Sequence, residues 1–455
     1  MSLQSINPAT GELVKEYPFF SIPQTDQIID EAHNAWLQWR TTDLHTRAAC
    51  MRRIAARLEA QQRDLAELIT LEMGKSVKSA RAEIEKCAWG CNYFADNAAE
   101  LLRDEIIKTE AGKTYIHFEP LGVILAVMPW NFPFWQLFRF AAPALMAGNA
   151  CVLKHASNVS GSALALEQLF KEAGFPENLM RTLLIGSDRV EDIIWNKKIR
   201  AVTLTGSTDA GSQVAAVAGR ALKKSVMELG GSDPYVILED ADIKHAATIC
   251  ATGRLINNGQ SCIAAKRFII VDAVYAAFEK AFIANMKAAR LGDPLHEDTE
   301  LGPLARADLR TSLHKQVTDS IAAGARCVLG GEIPKGAGNY YPATVLSDVK
   351  PGMPAFDEEL FGPVAALIRA KDTEEAIQLA NATQFGLGAA VFTQDIKKGE
   401  TIAAQRLDAG FCAVNDIVRS DPRLPFGGIK DSGFGRELSH YGIKEFVNIK
   451  TVYIK

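Results

Sequence analysis

The stretch Val202-Thr203-Leu204-Thr205-Gly206-Ser207-Thr208-Asp209-Ala210-Gly211 joins an apolar run to a helix start through a turn of small residues. Free N–H groups at a helix start favour an anion such as a dinucleotide pyrophosphate. A turn of this composition also serves as a plain strand-to-helix connection, and it lacks both the GxGxxG spacing and the Lys of a P-loop. Its neighbours decide the fold. Short apolar runs at 123–128, 150–153, 182–185, 201–204, 225–227 and 235–238 are separated by helix-patterned segments at 138–147, 161–173 and 210–221. That alternation predicts a parallel, doubly wound sheet, with ligands beyond the carboxyl ends of its strands.

Working outward, a second alternating series follows: helix 242–256, strand 267–271, helix 274–290, then runs at 365–368, 389–392 and 411–414. It predicts a second α/β unit. Residues 24–106 read as helices. Within 46–73, Met51, Ile54, Leu58, Leu65, Leu68 and Ile69 keep helical spacing up to a stop at Gly74. The tail from Lys444 alternates like a strand, and an open terminal edge is an expected oligomer contact.

A chain of 455 residues has room for two to four domains of roughly 100–200 residues each. Hydrophobic content of 48% and charged content of 23% are those of a soluble globular protein. A net charge of −4 gives no basic surface for a phosphate backbone, so nucleic acid is not an expected partner. No secretory leader and no apolar span are read, so neither is a membrane. The eight cysteines are scattered, which predicts free thiols in a reducing cytoplasm. Cys87 and Cys91 share a helix face, but no His or further Cys follows at ligand spacing. No metal is expected.

Several stretches carry candidate chemistry. In Asn257-Asn258-Gly259-Gln260-Ser261-Cys262, one thiol sits in a small-residue turn between a helix and a strand, where backbone and ligand can approach closely. Free cysteines are also common core residues. Met227-Glu228-Leu229-Gly230-Gly231 ends a strand with an acid before two glycines, leaving the carboxylate exposed and partly desolvated as a candidate general base. Pro129-Trp130-Asn131-Phe132-Pro133 is a turn whose Asn amide is a candidate oxyanion donor. Glu358-Glu359-Leu360-Phe361-Gly362-Pro363 reads as a loop, and Pro425 to Glu437 holds four glycines in nine residues, which require unusual backbone angles or a close neighbour.

Together and in this order, PWNFP, LTGSTDAG, MELGG, NNGQSC, EELFGP and PFGGIKDSGFGRE resemble the aldehyde dehydrogenase superfamily, from Asn7-Pro8-Ala9-Thr10-Gly11 to the tail. The resemblance implies an α/β fold with a Rossmann-like cofactor domain (1–101 and 121–229), an α/β catalytic domain (230–430) and a small β oligomerisation domain (102–120 and 440–455). It implies that Cys262 is the nucleophile, that Asn131 and the Cys262 N–H hold the oxyanion, and that Glu228 activates the hydrolytic water. It further assigns Glu359 to the nicotinamide ribose, Phe361 and Trp130 to the cofactor wall, Lys154 to the adenine ribose, and Gly206 and Ser207 to the pyrophosphate. A homodimer or homotetramer is implied.

Two departures from the family pattern matter. After Lys154, where the family usually has Pro, stands His155; three residues after the Lys, where NAD-selective members often carry Glu, stands Ser157. A small hydroxyl leaves room for a 2′-phosphate beside Lys154, so both NAD and NADP are expected to be accepted. The second departure is Arg139, eight residues after Asn131, where many members have an aromatic or another tunnel residue. It reads either as a solvated helix cation or as a clamp for a substrate carboxylate. Succinate semialdehyde dehydrogenases resemble this arrangement and use a serine before PFGG, matched by Ser420. A second Arg that some of them carry is Ile256 here, with Arg419 or Arg423 as substitutes. Trp135, Phe132 and Phe426 would make the rest of the tunnel apolar.

The expected activity is therefore NAD(P)-dependent oxidation of succinate semialdehyde to succinate. The alternatives are a broad-specificity aliphatic or aromatic aldehyde dehydrogenase, and a non-catalytic binding protein on the same fold. A CoA-acylating relative is disfavoured by Glu228, and a cysteine hydrolase by the absence of a motif placing a His beside Cys262.

Overall fold

The computed structural model describes residues 2–455. Among these, Val123–Met128, Ala150–His155, Met180–Thr182, Ile199–Thr205 and Lys224–Glu228 form a parallel sheet, closed on one side by antiparallel Gly433–Phe434. The chain builds this sheet outward from Val123–Met128 in one direction, then returns to its other side with Ile199–Thr205. The reversal opens a crevice beyond Met128 and Thr205, where a doubly wound sheet places ligands. PWNFP leaves one of these strand ends, and Gly206-Ser207 leaves the other. The 182–185 run lies later than the strand it predicted: the ladder ends at Thr182. Leu183 to Ile185 are buried by packing outside the ladder.

A second sheet runs in the order Arg326–Leu329, Thr344–Ser347, Val364–Ala370, Arg267–Val271, Pro234–Ile237, Gly388–Phe392, Phe411–Val414, parallel except at its first pair. A third pairs Val447–Ile454 with Lys113–Pro120 along eight residues, and Lys113–Pro120 with Glu105–Ile106. The tail strand is an outer edge, and Ile449, Tyr453 and Ile454 are exposed on it.

The helical region is divided more finely than its periodicity suggests. The apolar spacing over 46–73 continues across a break at Gln61, whose angles (φ −104°, ψ 11°) separate Leu44–Ala60 from Gln62–Met73. Gly74 stops the second helix in the left-handed region, at φ 83°, a conformation glycine adopts without steric cost. No helix among the described residues is long and apolar enough to cross a membrane. The eight cysteines are free thiols.

Candidate active site

The cysteine turn is shaped by its two asparagines. After the helix Ile243–Leu255, Asn257, Asn258 and Gly259 take φ of 56°, 58° and 73° in succession. Left-handed backbone is costly for most side chains and least so for Asn and Gly. Each Asn is also fixed by its amide. Asn257 Nδ2 donates to Asn131 O (2.8 Å) and Gln260 O (2.9 Å). Asn258 Nδ2 donates to Gly74 O and Pro303 O, and its Oδ1 accepts from Gly302 N. Gly259 lies flat against the Glu359 loop: a Cβ there would meet the Gly362 carbonyl at 2.3 Å.

Side chains hold the carbonyls of this turn one by one. Arg254 Nη2 donates to Gly259 O, Asn131 Nδ2 to Gln260 O (3.1 Å), and Lys266 Nζ to both Ser261 O and Cys262 O. The Cys262 N–H has no acceptor among the described residues, and the Asn131 amide, which reaches the same turn at Gln260 O, spends only one of its two N–H groups there. Cys262 itself is half-buried at the edge of a cavity of about 200 Å³. Burial pushes its thiol up to about 12, against the opposing pull of Arg139 and Lys266.

The cavity wall includes Phe132, Trp135, Arg139, Ser420 and Phe426, the five residues singled out for substrate, and also Ile256 and Arg419. Arg139 is no surface cation. It is 2% exposed, ion-paired with the equally buried Glu437, donates to Thr205 Oγ1 (3.1 Å) and stacks over Phe426 at 4.4 Å. Trp135 Nε1 donates to Ser420 Oγ (3.2 Å), which leaves the Ser420 proton free to point into the cavity. Arg423 turns away to Asp421 and the Trp89 ring, so it does not take the place of a second arginine.

Glu228 departs from its expected setting. Its carboxylate is 2% exposed, is not part of the cavity wall, and neither oxygen has a hydrogen-bond partner in the chain. The strand end is covered by the glycine-rich loop: Gly433 pairs with Glu228, and a Cβ on Gly427 (φ 152°) would lie 2.6 Å from its Oε1. Burial, and then the like charge of Glu437, hold the Glu228 acid well above the usual carboxylate range, partly opposed by Arg139. Glu437 is raised too, chiefly by burial.

The residues assigned to cofactor occupy two regions. Lys154 and Ser157 line a separate cavity of about 650 Å³ with Gly186 to Asp188. Lys154 Nζ has no hydrogen-bond or ion-pair partner there, and burial lowers its pKa. Ser207 caps the helix Thr208–Arg220, accepting from Ala210 N. A Cβ on Gly206 would find only Leu204 at 3.5 Å and Ala210 at 4.0 Å, so the turn is open on that side. Near the cysteine turn, Glu359 accepts from Gly231 N (3.0 Å) and faces Lys266 at 3.4 Å, while Phe361 meets Trp130 edge-on at 5.7 Å.

Four further residues organise the site. Glu83 accepts from Phe134 N and Trp135 N, capping the helix Trp135–Met146 that carries Arg139, and binds buried Lys75 at 2.6 Å. Lys75 in turn lies 3.9 Å over the Phe132 ring. His155 reaches Pro133 O through Nε2 (2.8 Å) while Nδ1 accepts from Ala156 N, and burial lowers its pKa to about 4. As a neutral Nε2–H tautomer it ties the adjacent strand to the Asn131 turn, a link that proline could not make. Glu437 is the fourth.

Residues 1–452 match the model of the aldehyde dehydrogenase family. A protein of Escherichia coli named succinate semialdehyde dehydrogenase, with NAD(P)+ in its name, is 48% identical over 449 residues, spanning 99% of this chain and 97% of its own. A Mycobacterium tuberculosis succinate-semialdehyde dehydrogenase, with NADP(+) in its name, is 48% identical over 460 residues and the full length of both. The crystal structure of a succinic semialdehyde dehydrogenase from Streptococcus pyogenes, in complex with NADP+, superposes with a TM-score of 0.97 at 37% identity, covering 99% of each chain.

Proposed function

The chain belongs to the aldehyde dehydrogenase family, and we propose that it oxidises succinate semialdehyde to succinate with NAD(P)+. The observation that carries this reading is the cavity at Cys262: small, walled by Phe132, Trp135 and Phe426, and furnished with Arg139 and a Ser420 hydroxyl free to donate. Such a space fits a short aldehyde with an anionic end better than a bulky one. The names of the 48%-identical relatives support the same substrate.

In this reading Cys262 loses its proton to solvent water and its Sγ attacks the aldehyde carbon. The new oxyanion is received by the Asn131 Nδ2–H and the unbonded Cys262 N–H. A nicotinamide bounded by Trp130, Phe361 and Glu359 would supply the hydride acceptor for the former aldehyde carbon. The thioester left on Cys262 is attacked by water, whose proton goes to Glu228, and Sγ departs as the carboxylate forms. Because Glu228 lies outside the cavity wall, its side chain must swing from beneath Gly427 to do this.

The residues present fit a dinucleotide. Lys154, unpartnered and half-buried, and the neighbouring Ser157 would hold the adenine ribose, with room for a 2′-phosphate. The open Gly206-Ser207 turn would face the pyrophosphate. Trp130, Phe361 and Glu359 would bound the nicotinamide end. We assign cofactor binding to 1–101 and 121–229, catalysis to 230–430, and self-association as a dimer or tetramer to 102–120 and 440–455, through the exposed Val447–Ile454 edge. Eight free thiols accord with a reducing cytoplasm.

The test is NAD(P)H formation across an aldehyde panel with each cofactor, before and after thiol alkylation. Succinate semialdehyde should give the highest kcat/KM, and alkylation should abolish turnover. A neutral aldehyde matching it would favour the broad-specificity reading that the aromatic wall supports. No turnover with any aldehyde would overturn both.

A further inference from the structure

Three cations line the Cys262 cavity, Lys86, Arg139 and Arg419, and two of them are already matched by carboxylates. Arg139 is paired with Glu437 and Arg419 with Asp416 at 2.5 Å, while behind the wall Lys75 is paired with Glu83 and Lys266 with Glu359. The exception is Lys86. It sits on the helix Val77–Leu101 one turn from Glu83 and lines the same cavity as Cys262. Its Nζ lies 4.6 Å over the Trp135 ring, yet among the described residues it has neither a hydrogen-bond acceptor nor a carboxylate within ion-pair distance. Trp135 is also the side chain that orients Ser420, so the ammonium and the free Ser420 proton flank one indole.

Lys86 is half-buried, and an ammonium partly withdrawn from water without a counter-charge is relieved when an anion joins it. Its surroundings do not supply that anion. Glu83 and Cys87 approach from its own helix, but the Glu83 oxygens are committed to Lys75 and to the Phe134 and Trp135 N–H groups. Arg139 faces it from the helix Trp135–Met146 with like charge. From the loop after the strand Phe411–Val414, Asp421 is held by Arg423 and Arg419 by Asp416.

We propose that Lys86 adds to the enzyme's preference for an anionic aldehyde: its ammonium, with the Ser420 hydroxyl and alongside Arg139, whose charge Glu437 shares, receives the distal carboxylate of the substrate. This rests on the substrate reading given above. It places the discriminating charge on a helix from the amino-terminal part of the chain, whereas the reacting thiol comes from the cysteine turn.

The experiment compares wild type, Lys86→Met and Lys86→Arg with succinate semialdehyde and with butanal. Lys86→Met should lower the ratio of the two kcat/KM values about tenfold, the worth of one charge-assisted contact. The loss should appear mainly in KM for succinate semialdehyde, and Lys86→Arg should restore most of the ratio. An unchanged ratio, or equal losses on both aldehydes, overturns the proposal. A second readout is independent of turnover: succinate should protect Cys262 from iodoacetamide in wild type, and Lys86→Met should need a concentration about tenfold higher. Equal protection in both overturns it. If wild-type enzyme shows no preference for succinate semialdehyde, the substrate reading fails. Protection lost in Lys86→Met would then still establish the anion site.

Discussion

Arg139 and Glu437 form an ion pair that is buried on both sides, and Glu228, without a partner of its own beneath Gly427, feels the charge of both. Burial and the neighbouring Glu437 outweigh the pull of Arg139 and then Arg436, so Glu228 favours keeping a proton. With a raised pKa, Glu228 is protonated at low pH and becomes able to accept the water's proton only as pH rises.

Glu437→Gln removes the like charge and frees Arg139 to act on Glu228 alone. Both effects lower the Glu228 pKa. The acid limb of the kcat–pH profile should move down by about one unit. A limb that stays in place, or moves up, would show that Glu437 does not tune this base.

The Cys262 thiol, pushed up to about 12, is almost entirely protonated at neutral pH in the free enzyme. Because only the thiolate reacts, iodoacetamide modification should quicken about tenfold per pH unit from neutrality upward. A plateau close to pH 8 would contradict this.

Ser157→Glu should place a carboxylate beside Lys154 in the larger cavity. It would repel a 2′-phosphate and offer an acceptor to a ribose hydroxyl. The kcat/KM with NADP should fall about tenfold relative to that with NAD. An unchanged cofactor ratio would remove Ser157 from cofactor selection.

Lys86, lowered to about 8 by burial and then by Arg139, is charged below that pH and neutral above it. KM for succinate semialdehyde should therefore rise on going to alkaline pH. In Lys86→Arg, whose guanidinium keeps its charge, the KM profile should be flat through the same range. Identical profiles for the two enzymes would rule out this titration.

Asn258→Ala would forfeit three hydrogen bonds and set a Cβ-bearing residue without a compensating amide at φ 58°. Urea unfolding should show a loss of about 2–4 kcal/mol, and Asn258→Gly should lose less because glycine tolerates the backbone. Equal losses would assign the whole cost to the amide.

Much of this was legible in the sequence. The strand at 123–128 carries an apolar run whose bounds coincide with the ladder, because a buried parallel strand leaves no polar position inside it, and the bounds read at 267–271 and 411–414 coincide as well. The five substrate-wall residues share one cavity with Cys262. What was hidden depends on chain crossings that local pattern does not encode. Gln61 carries no breaker residue, so the helix break there left no mark. Glu228 reads as a strand-end acid, and only the return of Gly427 and Gly433 onto its strand buries it. Glu83, Lys86 and Glu437 sit among ordinary helix and loop charges, and their meaning appears only when the amino-terminal helices pack against the cavity.

The contact of Gly259 with Gly362 has a practical consequence for anyone reshaping this enzyme. A side chain at 259 would strike the Gly362 carbonyl, and one at 362 would strike Leu313 at 2.4 Å. The cysteine turn and the Glu359 loop are thus mated surfaces without slack. A library that randomises one of them alone will return mostly misassembled proteins. Exchanging 257–262 and 358–363 as a single cassette from one donor keeps the fit, and leaves Lys86 and Ser420 free to be varied for new substrates.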